Sequence, residues 1–507
     1  MKRQNLVGGA LFLVLAGVLS KLLGAIYRLP LTNILGAEGI GIYQLVFPIY
    51  AFLLLVVCGG LPLAESKAIA QSANGDEQKR VFKWTLLAMT ILGAALSLFL
   101  LALSPLFAKM VGQEKCLWGF VCISPSIFVC AIMGAIRGYF QGERNMIPTA
   151  TSQVVEQFVK LVVGIAFAWW LSAKGVVWGV VGAITGIVAS ELVALVVISL
   201  FYFSTKKKFL QTGPSSNITK RQFFKMAVLF TASACALPFA SCLDSFLTIN
   251  LLQIGGMSTM AATEMYGLLS GVVLTLTSLP CVFSQALATA IIPNLSRNRE
   301  GGQDSLAIRY ICVVAIPCAL AFCIFAPNII SLLYPKIASQ PILFNTSCKL
   351  LAISSLNVIF VSLTSVCVSI FQANGRLVLP VFIYVGACVI KVILCAAFAL
   401  FTPFGILGFA VSGVISNFCA FAFCFLKFKS FKSKMSCKDF SGVLLANVAI
   451  ACFMFAAKAL SLNGAYFALF VVVCVVVYFA LCVAFGAVRK KDLLAVQRSS
   501  ASKQLDA

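Results

Sequence analysis

The sequence predicts an all-α polytopic membrane protein with about 14 transmembrane helices, on three observations. Apolar residues make up 61% of the 507 positions and charged ones only 10%, with a mean hydropathy of +1.04. That is more apolar material than a soluble core requires. The apolar residues also come in unbroken runs, whereas barrel strands would alternate in segments of roughly ten. Finally, a hydrocarbon core of ~30 Å takes about 20 apolar residues per helix, and the runs have that length.

Taken in order, the spans fall at 6–27, 40–62, 82–104, 117–136, 149–171, 176–203, 226–250, 265–292, 309–328, 347–371, 380–401, 404–426, 441–461 and 465–487. The opening "MKRQNLVGGALFLVLAG" is read as a retained first span. Its apolar run outlasts a signal-peptide core, and no A-x-A-like cleavage site follows. Alternate loops then sort the basic residues. Of the 38 Lys and Arg, 28 lie on the side of the N-terminus. Six (Arg28, Lys109, Lys115, Lys174, Lys336 and Lys349) lie opposite. The asymmetry predicts that both termini are cytoplasmic. Much of the +23 net charge is thus a topology signal, with some attraction to anionic membrane lipids. A nucleic-acid partner is not expected, since the basic runs flank spans and no nucleic-acid fold is visible.

The inventory excludes several chemistries. Without a single histidine, His-based acid–base catalysis, His-ligated metal and the common triads are unavailable. The 20 cysteines form no C-x-x-C pair and lie mostly in apolar runs, where Cys acts as a small hydrophobe. No phosphate-binding glycine loop appears, and the 15 acidic residues lie mostly in loops. The expectation is a protein that is not an enzyme and needs no metal or cofactor.

The chain also repeats itself. "YFQGERNMIPTATSQVVEQFVKLVVGIAFA" from Tyr139 is echoed by "IFQANGRLVLPVFIYVGACVIKVILCAAFA" from Ile370. Phe140-Gln141 matches Phe371-Gln372, Pro148 nearly matches Pro380, and Lys160 matches Lys391. "GVVGAITGIVAS" from Gly179 then matches "GILGFAVSGVIS" from Gly405. An offset of six spans, an even number, gives the halves the same orientation, related by a pseudo-twofold axis along the membrane normal. The domains expected are a six-helix lobe over 1–210, a second over 211–430, and two further helices with a tail over 431–507.

Charges that fall within spans narrow the site. They are Lys21, Lys160, Lys391, Lys458, Glu156, Glu191 and Asp244, with Arg28 and Arg137 at span ends. A charge at a helix centre costs ~2.5–3.5 kcal/mol to insert, so such side chains face protein or water. Lys458 and Glu191 are read as structural, paired or reaching headgroups. Gln153, Glu156, Gln157 and Lys160 share one helix face, being three and four residues apart. Glu156 is read either as the ion-pair partner of Lys160 or as the group that orients it. Lys21, Lys160 and Lys391 are read as functional, because Lys160 and Lys391 hold matching repeat positions that would converge on one interface; basic side chains lining a cavity between the halves would suit phosphate oxygens. Asp244 and Glu156 are candidates for ion coupling, with structural pairing as an equal alternative.

These residues carry a resemblance. "GVLSKLLGAIYRLPLTNILGAEGIGIY" from Gly17, the block from Arg137 through "MIPTATSQVVEQFVK", and "ATAIIPNLSR" from Ala288 resemble the polysaccharide-flippase branch of the MATE/MOP superfamily. Within that branch, the stage V sporulation protein B and MurJ-type lipid II flippase group is the most similar. The resemblance implies two six-helix lobes around a V-shaped cavity. It further implies transport of undecaprenyl-diphosphate-linked saccharide from inner to outer leaflet by alternating access, in a bacterial plasma membrane and as a monomer. The family's basic cavity positions map onto Lys21 and the vicinity of Arg28, which joins Gln153, Glu156, Lys160 and Lys391 as a substrate-binding residue. MurJ-type members often carry Arg where this chain has Lys21, a point charge in place of a fork. The two C-terminal helices would form the groove for the lipid tail. The alternatives are a MATE-type multidrug or cation antiporter, whose cavity would carry carboxylates, and a non-transporting sporulation or cell-wall assembly factor.

Overall fold

The structure is a computed structural model that describes residues 6–72, 75–204, 219–295, 303–373, 376, 378–427, 437–459 and 464–487. Among these the regular structure is helical throughout, with no strand. Twelve helical segments are long and apolar enough to cross a membrane. Two of the expected spans are not separate members of that set. The span at 6–27 is the first half of helix α1 (Leu6–Cys58), and the span at 226–250 lies on helix α8 (Lys220–Ile254). The first two spans, expected as distinct helices, are two helical stretches that meet within α1 at Gly36, whose backbone is not helical (φ 73, ψ −173). A positive φ is open to glycine without steric cost, so one residue does the work of a loop.

Two compact units divide between Gly271 and Val272, with Ala399–Phe401 joining the first. The lobes expected from the internal repeat are a separate division of the chain, taken up below. Besides α1, the first unit contains α2 (Leu61–Gln71), α3 (Gly75–Ala102), α4 (Ser104–Met110), α5 (Leu117–Gly142), α6 (Ile147–Ser172) and α7 (Val176–Ser204). It continues through α8 and α9 (Thr259–Tyr266) into a π-helical turn at Gly267–Val273. The α8 start is fixed by a reciprocal cap between Thr219 and Gln222, which satisfies two N–H groups that a helix start leaves open.

The second unit holds α10 (Leu274–Leu295), α11 (Gln303–Ile324), α12 (Ala326–Leu333), α13 (Pro335–Ala338), α14 (Pro341–Ala373), α15 (Leu379–Phe401), α16 (Ile406–Lys427), α17 (Cys437–Lys458) and α18 (Gly464–Ala484). Its core gathers Ile311 and Ala315 of α11, Val358 and Val366 of α14, and Ile450 of α17. Tyr478 donates to Asn447 Oδ1 at 3.3 Å, which ties α18 to α17.

Small residues set the geometry that matters for function. A side chain at Gly186 on α7 would collide with the backbone of Gly164 on α6, and one at Gly182 with the backbone of Phe167. In lipid, helix association is driven by close van der Waals packing, and glycine permits it. Gly164 also makes room for the Tyr27 ring of α1, since a Cβ there would lie 2.8 Å from its hydroxyl. The Tyr27 hydroxyl reaches past α6 to donate to Ala183 O on α7 at 3.3 Å. Three helices are thereby locked around the segment of α6 that carries the polar face.

Candidate functional site

Helices α5 and α6 form a hairpin turned at Arg144, which takes φ 59, with Asn145 N bonding Phe140 O at 3.0 Å. A hairpin pairs residues equidistant from its turn. Arg137 on α5 therefore meets Ser152 on α6, and Glu156 stands one turn deeper in the membrane. The Arg137 Nε donates to Ser152 Oγ at 3.0 Å, and Nη2 donates to Glu156 Oε2 at 3.0 Å. Gln157 Nε2 donates to Glu156 Oε1 at 3.1 Å. The two charged side chains are 16% and 20% exposed, too buried for the pair to be a solvated surface bridge and open enough to meet a ligand.

Glu156 is thus held by Arg137, not by Lys160 as the intrahelical reading expected. A salt bridge between neighbouring helices carries the guanidinium, whose planar fork suits a carboxylate better than an ammonium does. The Lys160 ammonium lies 5.9 Å from the centre of the Tyr27 ring, within range of the ring's negative face. It makes no direct hydrogen bond or salt bridge among the described residues, and Glu156 attracts it only at longer range. Arg137 is also under-used: a guanidinium has five N–H donors, and among the described residues its side-chain bonds use two, on Ser152 and Glu156. The cluster therefore presents spare donors from one guanidinium and one ammonium around a single carboxylate.

Other expected positions distribute as follows. Gln153 is half-buried on the same α6 face. Arg28 is half-buried on α1, one residue beyond Tyr27, and its carbonyl accepts from Thr32 Oγ1 at 2.8 Å. The Lys21 side chain lies outside the described residues. Asp244 is half-buried on α8, where its carbonyl accepts from Thr248 Oγ1 at 2.7 Å. Lys391 is half-buried on α15 in the second unit. Lys458 is exposed at the end of α17. The structure thus brings Glu156 and Lys160 together with Arg137, Ser152, Gln157 and Tyr27.

Arg137, Ser152 and Tyr27 were not among the expected site residues. Hairpin symmetry about Arg144 would have found the first two. A second intramembrane cluster is of another kind. Glu191 on α7 is 4% exposed; its Oε1 accepts from the Tyr50 hydroxyl at 2.6 Å and its Oε2 from Ser126. The Tyr50 and Ser126 hydroxyl oxygens lie 2.8 Å apart.

The described residues form membrane-spanning helices with a cationic cluster between them, and the fold is that of known transporters. The structure superposes on a lipid II flippase MurJ in an inward closed conformation with a TM-score of 0.74, covering 96% of this chain and 100% of that one at 15% identity. It superposes on an inward-facing multidrug resistance MATE family transporter of the MOP superfamily at 0.65, covering 82% and 96% at 17% identity. The chain belongs to the polysaccharide biosynthesis protein family, whose model matches residues 6–299. By sequence it is 31% identical over 310 residues to stage V sporulation protein B of Bacillus subtilis (strain 168), covering 59% of this chain and 60% of that protein. It is 27% identical over 328 residues to lipid II flippase MurJ of the same organism, covering 60% of each. The matched stretch spans about 60% of the length of these relatives.

Proposed function

We propose that this protein is a flippase for undecaprenyl-diphosphate-linked saccharide, moving the head group from the inner to the outer leaflet by alternating access. The observation that carries the reading is the excess of unpartnered N–H donors on Arg137 and Lys160 among membrane-spanning helices. Cations are costly among membrane-spanning helices, and one carboxylate offsets only one of the two, so an anion that completes the spare donors is the economical explanation of their presence. Likeness to a lipid II flippase and to a sporulation protein fits a lipid-linked saccharide as that anion.

The physical task follows. A prenyl chain stays in lipid, but a diphosphate and its sugars cannot enter hydrocarbon without a large desolvation penalty. The protein lowers that barrier by supplying donors and shielding, and it makes and breaks no bonds. Lys160 meets the phosphates; Lys391, its repeat counterpart on α15, is assigned the same task on sequence register alone, as are Lys21 and Arg28 on the family's pattern. The lobes 1–210 and 211–430 are the moving halves, and the helices over 431–507 receive the lipid tail. With both termini cytoplasmic, an inside-negative potential contributes ~2.3 kcal/mol per charge per 100 mV. It favours export of the anion and return of a cationic empty carrier.

The test is reconstitution of the full chain into vesicles containing undecaprenyl diphosphate that bears a fluorescent saccharide, scoring exposure on the far leaflet. Lys160→Gln or Lys391→Gln should lower the rate about tenfold or more while leaving folded yield near wild type. Lys458→Gln should change it by less than about twofold. Equal effects at all three positions would overturn the assignment of Lys160 and Lys391. A MATE-type exporter is disfavoured by the cluster's charge, because a cationic drug would meet two cations and one carboxylate.

A further inference from the structure

We infer that Glu156 is a built-in substitute for the substrate's phosphate, which holds the Arg137 guanidinium when the carrier is empty and yields it when a diphosphate binds. The inference rests on the functional reading above and gives Glu156 a role of its own within that site.

Three features of the pair point this way. The carboxylate bonds Arg137 through one oxygen and one N–H, whereas a guanidinium offers parallel pairs of N–H to a fitting anion. A phosphoryl group can occupy those donors with better geometry, so Glu156 is a weaker version of the same ligand. At 20% exposure the carboxylate is not sealed in. The pair is flanked by a second cation: Lys160 lies at i+4 on the same helix, has no protein acceptor among the described residues, and is within reach of a carboxylate at position 156. Displacement therefore leaves Glu156 paired, one turn along its own helix, and not stranded.

The arrangement solves a problem that any anion carrier with fixed cations faces. An unpaired guanidinium in a low-dielectric interior is costly, and a site built only of cations would hold its anion too tightly to release it. A carboxylate that competes for Arg137 lowers ground-state affinity and lets the empty site close with its charge partly balanced. Ser152, which bonds Arg137 Nε, keeps the guanidinium oriented during the exchange.

The signature is a pair of opposite shifts. With geranylgeranyl diphosphate as probe and geranylgeraniol as the uncharged control, Glu156→Gln should bind the diphosphate about fivefold more tightly than wild type. Arg137→Gln should bind it about tenfold more weakly, and the alcohol should not distinguish the variants. In the vesicle assay Glu156→Gln should lower KM and kcat together, as expected when a competitor and a release aid are lost at once. Arg137→Gln should raise KM. Glu156→Asp, which keeps the charge but shortens the reach, should fall between wild type and Glu156→Gln on both axes. If Glu156→Gln weakens diphosphate binding, or leaves it unchanged, the inference is overturned while the flippase reading stands. If wild type neither binds the diphosphate in preference to the alcohol nor moves the labelled lipid, the flippase reading itself fails and takes this inference with it.

Discussion

Two clusters in the first unit bury carboxylates among membrane-spanning helices, and they solve the burial in opposite ways. Glu191 is almost fully enclosed and is answered by two neutral hydroxyls, from Tyr50 at 2.6 Å and from Ser126. Glu156 is more open and is answered by a cation, Arg137, that retains donors to spare, with a second cation one turn away. In the first cluster the carboxylate is met by neutral hydroxyls of the protein in an enclosed site. In the second, positive charge and N–H groups exceed what the protein uses. A buried polar group enclosed by neutral partners specifies packing; under the proposed function, the surplus around Glu156 serves the substrate anion. Transport should therefore be sensitive at the α5–α6 hairpin, and stability at the Glu191 cluster.

The hardest blow to that contrast is an exchange of charge within α6. Glu156→Lys with Lys160→Glu keeps an i,i+4 pair on the helix, and by sequence alone would preserve folding. In the structure the new lysine faces Arg137, where the carboxylate now sits at 3.0 Å, and the new carboxylate faces the negative face of the Tyr27 ring. Breaking a buried ion pair and adding like-charge repulsion costs about 3 kcal/mol or more, so folded yield in detergent should fall severalfold. Adding Arg137→Glu rebuilds the bridge with reversed sense and should return the yield but not the flipping of prenyl-diphosphate saccharide. Normal yield from the double exchange would mean that Arg137 does not hold position 156.

The swap also marks how far the sequence could be read. The polar face of α6 was legible because residues three and four apart share a face, and intramembrane charges are too costly to be incidental. Its partner was not, because an i,i+4 neighbour is visible in one helix whereas Arg137 becomes a neighbour only once the turn at Arg144 is known. The two opening spans were legible as two apolar helices, but their direct junction was not, since nothing but Gly36 marks a kink in place of a loop. Glu191 was read as paired or reaching headgroups, and its neighbours in the structure were not foreseen. Hydroxyls from Tyr50 and Ser126 carry no charge signal, and they lie on helices that only tertiary packing brings near.

A milder test works at the matched cluster. Glu191→Ala removes the acceptor of two buried hydroxyls, at a cost of about 1–3 kcal/mol per group left unsatisfied, and should lower the thermal midpoint of the purified protein by several degrees. Glu191→Gln keeps one acceptor and should lose less than half as much. Neither change should alter KM for the labelled lipid in vesicles, measured per folded molecule. A large change in KM with little change in midpoint would move Glu191 from packing to transport and erase the contrast.

The finest discrimination is available at Tyr27, which belongs to both regimes. Its hydroxyl donates to Ala183 O at 3.3 Å, a long bond within a buried packing seam. Its ring lies 5.9 Å from the Lys160 ammonium, within the polar cluster. Tyr27→Phe removes the first role and keeps the second. The loss of one neutral hydrogen bond is worth about 1 kcal/mol or less, and Ala183 O remains within its helix, so the thermal midpoint should drop by only a degree or two. The phenylalanine ring still presents a negative face to Lys160, a contact worth about 0.5–1 kcal/mol at a partly exposed site, so flipping should remain within about twofold of wild type. Tyr27→Leu fills much of the same space without a π face and should slow flipping further than Tyr27→Phe does. Equal transport by the two variants would show that Lys160 gains nothing from the ring and that Tyr27 is part of the packing seam alone.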